Sequence, residues 1–217
     1  MRYFTADLHL GDKTVARWRG FGDDVAVHDE VIVHGIVSRV SADDEIWLLG
    51  DLCKPNLAGV TALRELLPCS RVHVVVGNHD ARSRFVTCGL FDTVDYYAQV
   101  GKVSREGYKF VMSHYPMLDW DRAGHGSYML HGHIHSLPAG GYPEGSAPCP
   151  RRNEDGGMGL PGYNEWNRDH GIRRFDVGVD ACGYKPVSDA EIVAFFAGGA
   201  VRPDGRETQD RQSQDGG

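Results

Sequence analysis

The 217-residue chain is short of three things: long apolar runs, paired cysteines and positive charge. No apolar stretch approaches the roughly 20 residues that a bilayer-crossing helix needs, so no membrane span is expected. Met1 to Leu10 leads straight into a strand pattern and a polar cluster, leaving no room for a cleavable signal peptide. The five cysteines (Cys53, Cys69, Cys88, Cys149 and Cys182) are odd in number and scattered, and none stands in Cys-x-x-Cys spacing. That argues against a disulfide framework and for small buried thiols in a reducing cytoplasm. Lysine and arginine number 23 against 30 acidic residues, a formal charge of -7. A broad nucleic-acid-binding face is therefore not expected, although a local positive site is compatible with this balance. No internal repeat is present.

Hydrophobic content of 41% and charged content of 24% are ordinary for a globular protein. The length suits one domain with a sizeable core, assigned to residues 1–197. Within it, Ser136 to Gly171 is rich in Gly and Pro and shows no period, as a long loop or insertion would be. Residues 198–217 turn polar and are expected to form a disordered tail.

The first half alternates strand and helix. Arg2 to Ala6 is a short strand. Asp24 to Val40 is a helix, with Ile32, Ile36 and Val40 four residues apart. Glu45 to Leu49 is a second strand. A helix opened by Pro55-Asn56 carries Leu57, Val60, Leu63 and Leu67 on one side. Val72 to Val76 is a third strand, apolar enough for burial on both faces. This is the rhythm of parallel α/β layering. From Val94 the pattern changes: Val94 to Val100, Tyr108 to Met112, Tyr128 to Leu130 and Phe175 to Val179 read as strands, and Ser188 to Phe196 as a last helix.

Five polar islands follow apolar runs in order: Asp7-Leu8-His9, Gly50-Asp51, Gly77-Asn78-His79-Asp80, Ser113-His114 and Gly132-His133-Ile134-His135. They stand at the carboxyl ends of strands, where α/β sheets usually place ligands. In an extended segment residues two apart point to one side, so Asp7 and His9 can reach one cation, and His133 and His135 can each face a different member of a pair. Asp51 follows a strand expected beside the first, so its carboxylate can bridge. Asn78 offers a neutral oxygen. A mixed Asp, His and Asn shell suits Mn, Fe, Zn or similar ions better than Ca or Mg. Taken singly, each island is ordinary turn chemistry or a core histidine. With His131, which directly precedes the last island, they hold six of the eleven histidines: His9, His79, His114, His131, His133 and His135. That concentration favours a metal site.

In their order, these islands resemble the motif set of the calcineurin-like metallophosphoesterase superfamily, from about Phe4 to His135. The resemblance implies a four-layer α/β/β/α sandwich with two facing mixed sheets. It implies two divalent metal ions: one held by Asp7, His9, Asp51 and His135, the other by Asp51, Asn78, His114 and His133. It also implies that His79 contacts the phosphate or protonates the leaving oxygen, with Asp80 orienting its ring. The activity implied is phosphoester hydrolysis by in-line attack of a bridging hydroxide. His131 is read as a packing or supporting residue.

Departures narrow the substrate. Gly50-Asp51-Leu52-Cys53-Lys54-Pro55 and Asp80 differ from the phosphoprotein-phosphatase branch, and basic stripes for tracking nucleic acid are lacking. Phe4 to Gly11, Val177 to Asp180 and Pro186-Val187-Ser188 resemble the small bacterial or phage-type phosphoesterases, many of which carry a histidine where Asp12 stands. The expected substrate is a small-molecule phosphomonoester or phosphodiester, including nucleotides. A catalytically lapsed metal-binding scaffold and a phosphodiesterase acting on nucleic acid are the alternatives. Arg17 and Arg19, after the first island, are candidates for gripping a phosphate oxygen. Arg151, Arg152 and Arg168 lie in the insertion, a candidate cover for the pocket.

Overall fold

A computed structural model describes residues 1–104, 107–141 and 159–198. The first half runs β1 (Arg2–Thr5), α1 (Lys13–Trp18), α2 (Val25–Val37), β2 (Glu45–Leu48), α3 (Leu57–Leu66), β3 (Arg71–Val75), α4 (Arg82–Cys88) and β4 (Thr93–Asp95). The second half runs β5 (Tyr97–Ser104), β6 (Gly107–Ser113), β7 (Tyr128–His131), α5 (Tyr163–Asp169), β8 (Arg174–Asp176), β9 (Val187–Ser188) and α6 (Asp189–Ala197). The strands form two sheets, ordered β4-β3-β2-β1-β9 and β5-β6-β7-β8. Both are mixed: β9 runs antiparallel to β1 and β5 antiparallel to β6, while the remaining pairs are parallel.

The sheets face each other because each offers an apolar surface that water cannot satisfy. Phe4, Trp47, Leu49 and Val75 of the first sheet share a buried cluster with Phe110, Met112, Tyr128, Leu130 and Phe175 of the second side. On the opposite face of the first sheet, Tyr3, Ile46, Leu48, Val72 and Val74 pack with Ile32 and Ile36 of α2 and Val60 and Leu63 of α3. α5 lies against β8. This is the α/β architecture of two facing mixed sheets that the family resemblance implied.

Several boundaries differ from expectation. The run Val94 to Val100 is not one strand: β4 pairs parallel with β3 in the first sheet, and β5 pairs antiparallel with β6 in the second. Tyr96, between them, is 65% exposed and marks the corner. Similarly, β8 stops at Asp176, after which Gly178 bridges to Ala6 and carries the chain from one sheet to the other. Two short helices escape periodicity: α1, six residues long and capped by the Asp12 carboxylate, and α4, seven residues long. Within 136–171, Leu137 bridges to Pro161 and α5 fills 163–169. Seven residues make only two turns, too few for a period to register. Arg151, Arg152 and the expected tail beyond 198 lie outside the described residues. Among the described residues, no helix is long and apolar enough to cross a membrane.

The interior of α2 contains Gly35, where a Cβ would fall 1.8 Å from the Tyr184 carbonyl oxygen. Helix propensity alone would favour alanine by about 1 kcal/mol. Overpacking against fixed backbone costs roughly 1–3 kcal/mol and should win. Gly35→Ala is expected to lower the thermal midpoint by several degrees, and a rise would contradict this packing.

Candidate metal centre

Three of the five polar islands turn out of their strands through left-handed backbone. Seven non-glycine residues among those described have positive φ, and five are Asp7 (56°), His9 (49°), Asp51 (55°), His133 (72°) and His135 (46°). Asp7 and His9 thus meet by turning, not by extended alternation as the sequence spacing had implied. Each such residue costs on the order of 1–3 kcal/mol and persists only when its surroundings hold it there. Backbone ties supply that hold. The Asp7 and His9 amides donate to Gly50 and Asp51 carbonyls (both 2.9 Å), and the Gly132 amide donates to His114 (3.1 Å). The His133 amide donates to both Asp7 oxygens at 3.1 and 3.0 Å. Two glycines leave room for this: a Cβ at Gly77 would stand 2.2 Å from Asp51 Oδ1, and one at Gly132 2.5 Å from Asp7 Oδ2.

Six of the seven expected ligands fall into two groups, Asp7 with His9 and His135, and Asp51 with His114 and His133. Within each group the ligand atoms lie within 4.8 Å of one another. The seventh, Asn78, places Oδ1 3.0 Å from both His114 Nε2 and His133 Nδ1. Asp51 Oδ2 lies between the groups, 3.8 Å from His9 Nε2 and 3.4 Å from His114 Nε2.

The hydrogen-bond roles show that these atoms fit a cation. His114 Nδ1 donates to the Leu49 carbonyl at 2.8 Å, so Nε2 presents a lone pair. That lone pair faces two oxygen acceptors, Asn78 Oδ1 and Asp51 Oδ2. His9 Nε2 is buried with no hydrogen-bond partner. With the imidazoles neutral, acceptors converge here, an arrangement that a divalent ion satisfies. The charges agree. Burial is the main influence on Asp7 and lifts it to about 7. Burial likewise depresses His9 to about 3. At Asp51 burial pushes upward, but the hydrogen bond and charge of His114 prevail and bring it to about 2.

The two residues assigned to proton handling divide. His79 is exposed at the mouth, its ring 5.3 Å from that of His9, and its amide donates to Asp51 Oδ1 at 2.8 Å. Asp80 does not orient that ring. Its oxygens accept from the amides of Asp51 (2.8 Å), Leu52 (3.0 Å) and Gly77 (2.8 Å), fastening the second island to the third. His131 is buried, bonded to Gly132 O and the Tyr163 hydroxyl, and stands apart from both groups.

Arg19 is corrected outright. It is fully buried, with Nε 2.8 Å from Asp180 Oδ1 and Nη2 2.6 Å from Asp180 Oδ2, and it donates to the Asp7 and Leu8 carbonyls. It cannot reach a substrate. Arg17 is exposed and paired with Asp23, and Arg168 is paired with Asp169 and set over the Phe195 ring. Asp180, which sequence reasoning did not place in the site, also accepts from His135 Nδ1 at 2.7 Å. In the neutral ring this leaves His135 Nε2 as a lone pair aimed at its group. Behind it, Arg19 donates to His28 Nε2 (3.0 Å), whose Nδ1 then donates to Asp29 (2.8 Å), which accepts from the Gly11 amide (3.0 Å). The strand-end signal was present: Asp180 closes the apolar run Val177-Gly178-Val179 much as the islands close theirs.

The first expectation from this chain concerns metal affinity. Asp180→Asn removes the charge that fixes His135 and should weaken divalent-metal binding about 10–100-fold, read by calorimetric titration. It should also lower the thermal midpoint, because Arg19 loses its buried counter-charge. Unchanged metal affinity would contradict the role given to Asp180.

Comparison with known proteins agrees with this geometry. The chain is 27% identical over 159 residues to the gene 66 protein of Mycobacterium phage L5, covering 62% of this chain and 77% of that protein. It is 28% identical over 158 residues to the gene 66 protein of Mycobacterium phage D29, covering 62% and 78%. The crystal structure of a protein of unknown function from Aquifex aeolicus aligns with a TM-score of 0.55 at 18% identity, over 89% of this chain and 98% of that one, a likeness of fold alone. The model of the calcineurin-like phosphoesterase superfamily domain matches residues 5–143, and that match suggests a metal-dependent hydrolase. The chain belongs to the calcineurin-like phosphoesterase superfamily.

Proposed function

We propose that the protein hydrolyses a phosphoester bond of a small molecule, as a phosphomonoesterase or phosphodiesterase, at a centre of two divalent metal ions. The observation that carries this is the position of Asp51 Oδ2, within 4 Å of His9 Nε2 in one group and His114 Nε2 in the other. A carboxylate so placed is suited to bridging. Asp7, His9, Asp51 and His135 would hold one ion, and Asp51, Asn78, His114 and His133 the other. When bound, the ions would supply a water acidified towards neutral pH and positive charge against the phosphoryl oxygens.

The chain's own residues do the rest. Asp180 and Leu49 fix the tautomers of His135 and His114, so their lone pairs face inward. Asp80 fastens the turn that carries Asn78 and His79 to the turn that carries Asp51. Exposed at the mouth, His79 is free to approach substrate and to donate a proton to the departing oxygen. The free thiols of Cys53, Cys69, Cys88 and Cys182 accord with a reducing compartment, and we place the enzyme in the cytoplasm. All seven ligand positions are filled, which gives no ground for preferring a lapsed scaffold.

Purified protein supplied with manganese is expected to hydrolyse p-nitrophenyl phosphate or its bis-ester, and a chelator should stop it. His79→Ala should lower kcat by about 100-fold or more, the usual weight of a positioned proton donor, with metal content unchanged. Full activity in that variant would remove His79 from the mechanism.

A further inference from the structure

Beside the metal centre opens a cavity of about 250 Å³, lined by His9, Asp51 and His79 on one side and by Leu10, Gly11, Asp12, Lys13, Cys53 and Lys54 on the other. Because the proposed proton donor His79 borders it, this is where a leaving group would sit. Two of the chain's five lysines line it, in a protein of net charge -7. Lys13 is 3.6 Å from Asp23 and so already has a counter-charge. Lys54 makes no ion pair or side-chain hydrogen bond among the described residues.

Lys54 is also held where it is. Its amide donates to the Leu10 carbonyl at 3.2 Å, and Leu10 bridges to Cys53. Its aliphatic stem crosses Gly11 so closely that a Cβ there would be 2.9 Å from Lys54 Cε. The Gly11 amide is in turn bound by both oxygens of Asp29 at 3.1 and 3.0 Å. The ammonium therefore sits on a stem laid over a fixed turn at the cavity wall. A second cavity of about 180 Å³, also bordered by Lys54 and Gly11, is lined by Leu10, Cys53, Ala62, Leu63 and Leu66, together with Gly59 and the carboxylate-bearing Asp29. The leaving-group side thus offers a cation and an adjoining apolar wall.

We propose that Lys54 is a specificity-determining residue that selects phosphoesters whose leaving group is organic and carries a second anion, a carboxylate or another phosphate. This rests on the phosphoesterase activity proposed above. The distinction matters for substrate class: phosphate esters of neutral alcohols would leave the cation unused, whereas a leaving group bearing its own negative charge would meet it. A partly solvated ion pair of this kind changes affinity by about two- to fivefold, and salt weakens it.

The test uses two esters on one skeleton, phenyl phosphate and 4-carboxyphenyl phosphate, with the full chain and manganese. The wild type should prefer the carboxylated ester in kcat/KM. Lys54→Ala should reduce that preference about two- to fivefold, mostly through KM, and Lys54→Arg should keep it. The preference should also shrink in 1 M salt. A ratio unchanged in Lys54→Ala, whether both rates hold or both fall, would overturn the subsite and leave the phosphoesterase proposal standing. If neither ester is hydrolysed by the wild type, the activity proposal fails. The subsite is then judged by binding of the two matching phosphonates, where the same ratio and the same loss in Lys54→Ala support it and equal affinities overturn it.

Discussion

The structure is organised around one carboxylate that stands between two groups of imidazoles. Asp51 Oδ2 faces His9 on one side and His114 on the other, and Asn78 and Asp7 complete a ring of atoms that can each offer a lone pair. With the imidazoles neutral such a ring is unfavourable by itself, since buried lone pairs face one another. Placing positive charge at its centre removes that penalty. The ring is therefore built for cations before any statement about catalysis is made.

Holding it together takes most of the fold's local irregularity. The first, second and fifth islands leave their strands in left-handed backbone, and the cost of those conformations is offset by amide bonds between islands that lie far apart in sequence. Asp80 shows the division of labour: a residue beside the proposed proton donor spends both oxygens on backbone amides, so its contribution is to position the turns. Arg19 and Asp180, 161 positions apart, do the same from beneath. A charged pair with no exposure at all is expensive to bury, and its bidentate geometry with added carbonyl acceptors is what makes it tolerable.

Much of this could be read from the chain. The islands were visible because strand ends in an α/β sheet converge in space, so polar residues spaced far apart in sequence meet at one edge. The apolar runs before them gave β1, β2, β3, β6 and β7 within a residue or two. What escaped depended on tertiary partners. Nothing local distinguishes a buried Arg19 from the exposed Arg17 two residues earlier; only Asp180 does. Nor does the run Val94 to Val100 announce that Tyr96 turns it from one sheet to the other. The helices α1, α4 and α5 are too short to show a period; the Asp12 cap and packing on α2 define α1, and packing on α3 and β8 defines α4 and α5. Asp-x-His was placed correctly in space for a reason other than the extended alternation that its spacing brought to mind.

The central claim is that seven side chains enclose two ions sharing Asp51. The direct measurement is a crystal structure of the protein grown with manganese, with anomalous scattering used to locate the metal. Two peaks, one beside Asp7, His9 and His135 and the other beside Asn78, His114 and His133, both in contact with the Asp51 carboxylate, are the predicted result. A single peak, or two with Asp51 turned away from one of them, would contradict the account.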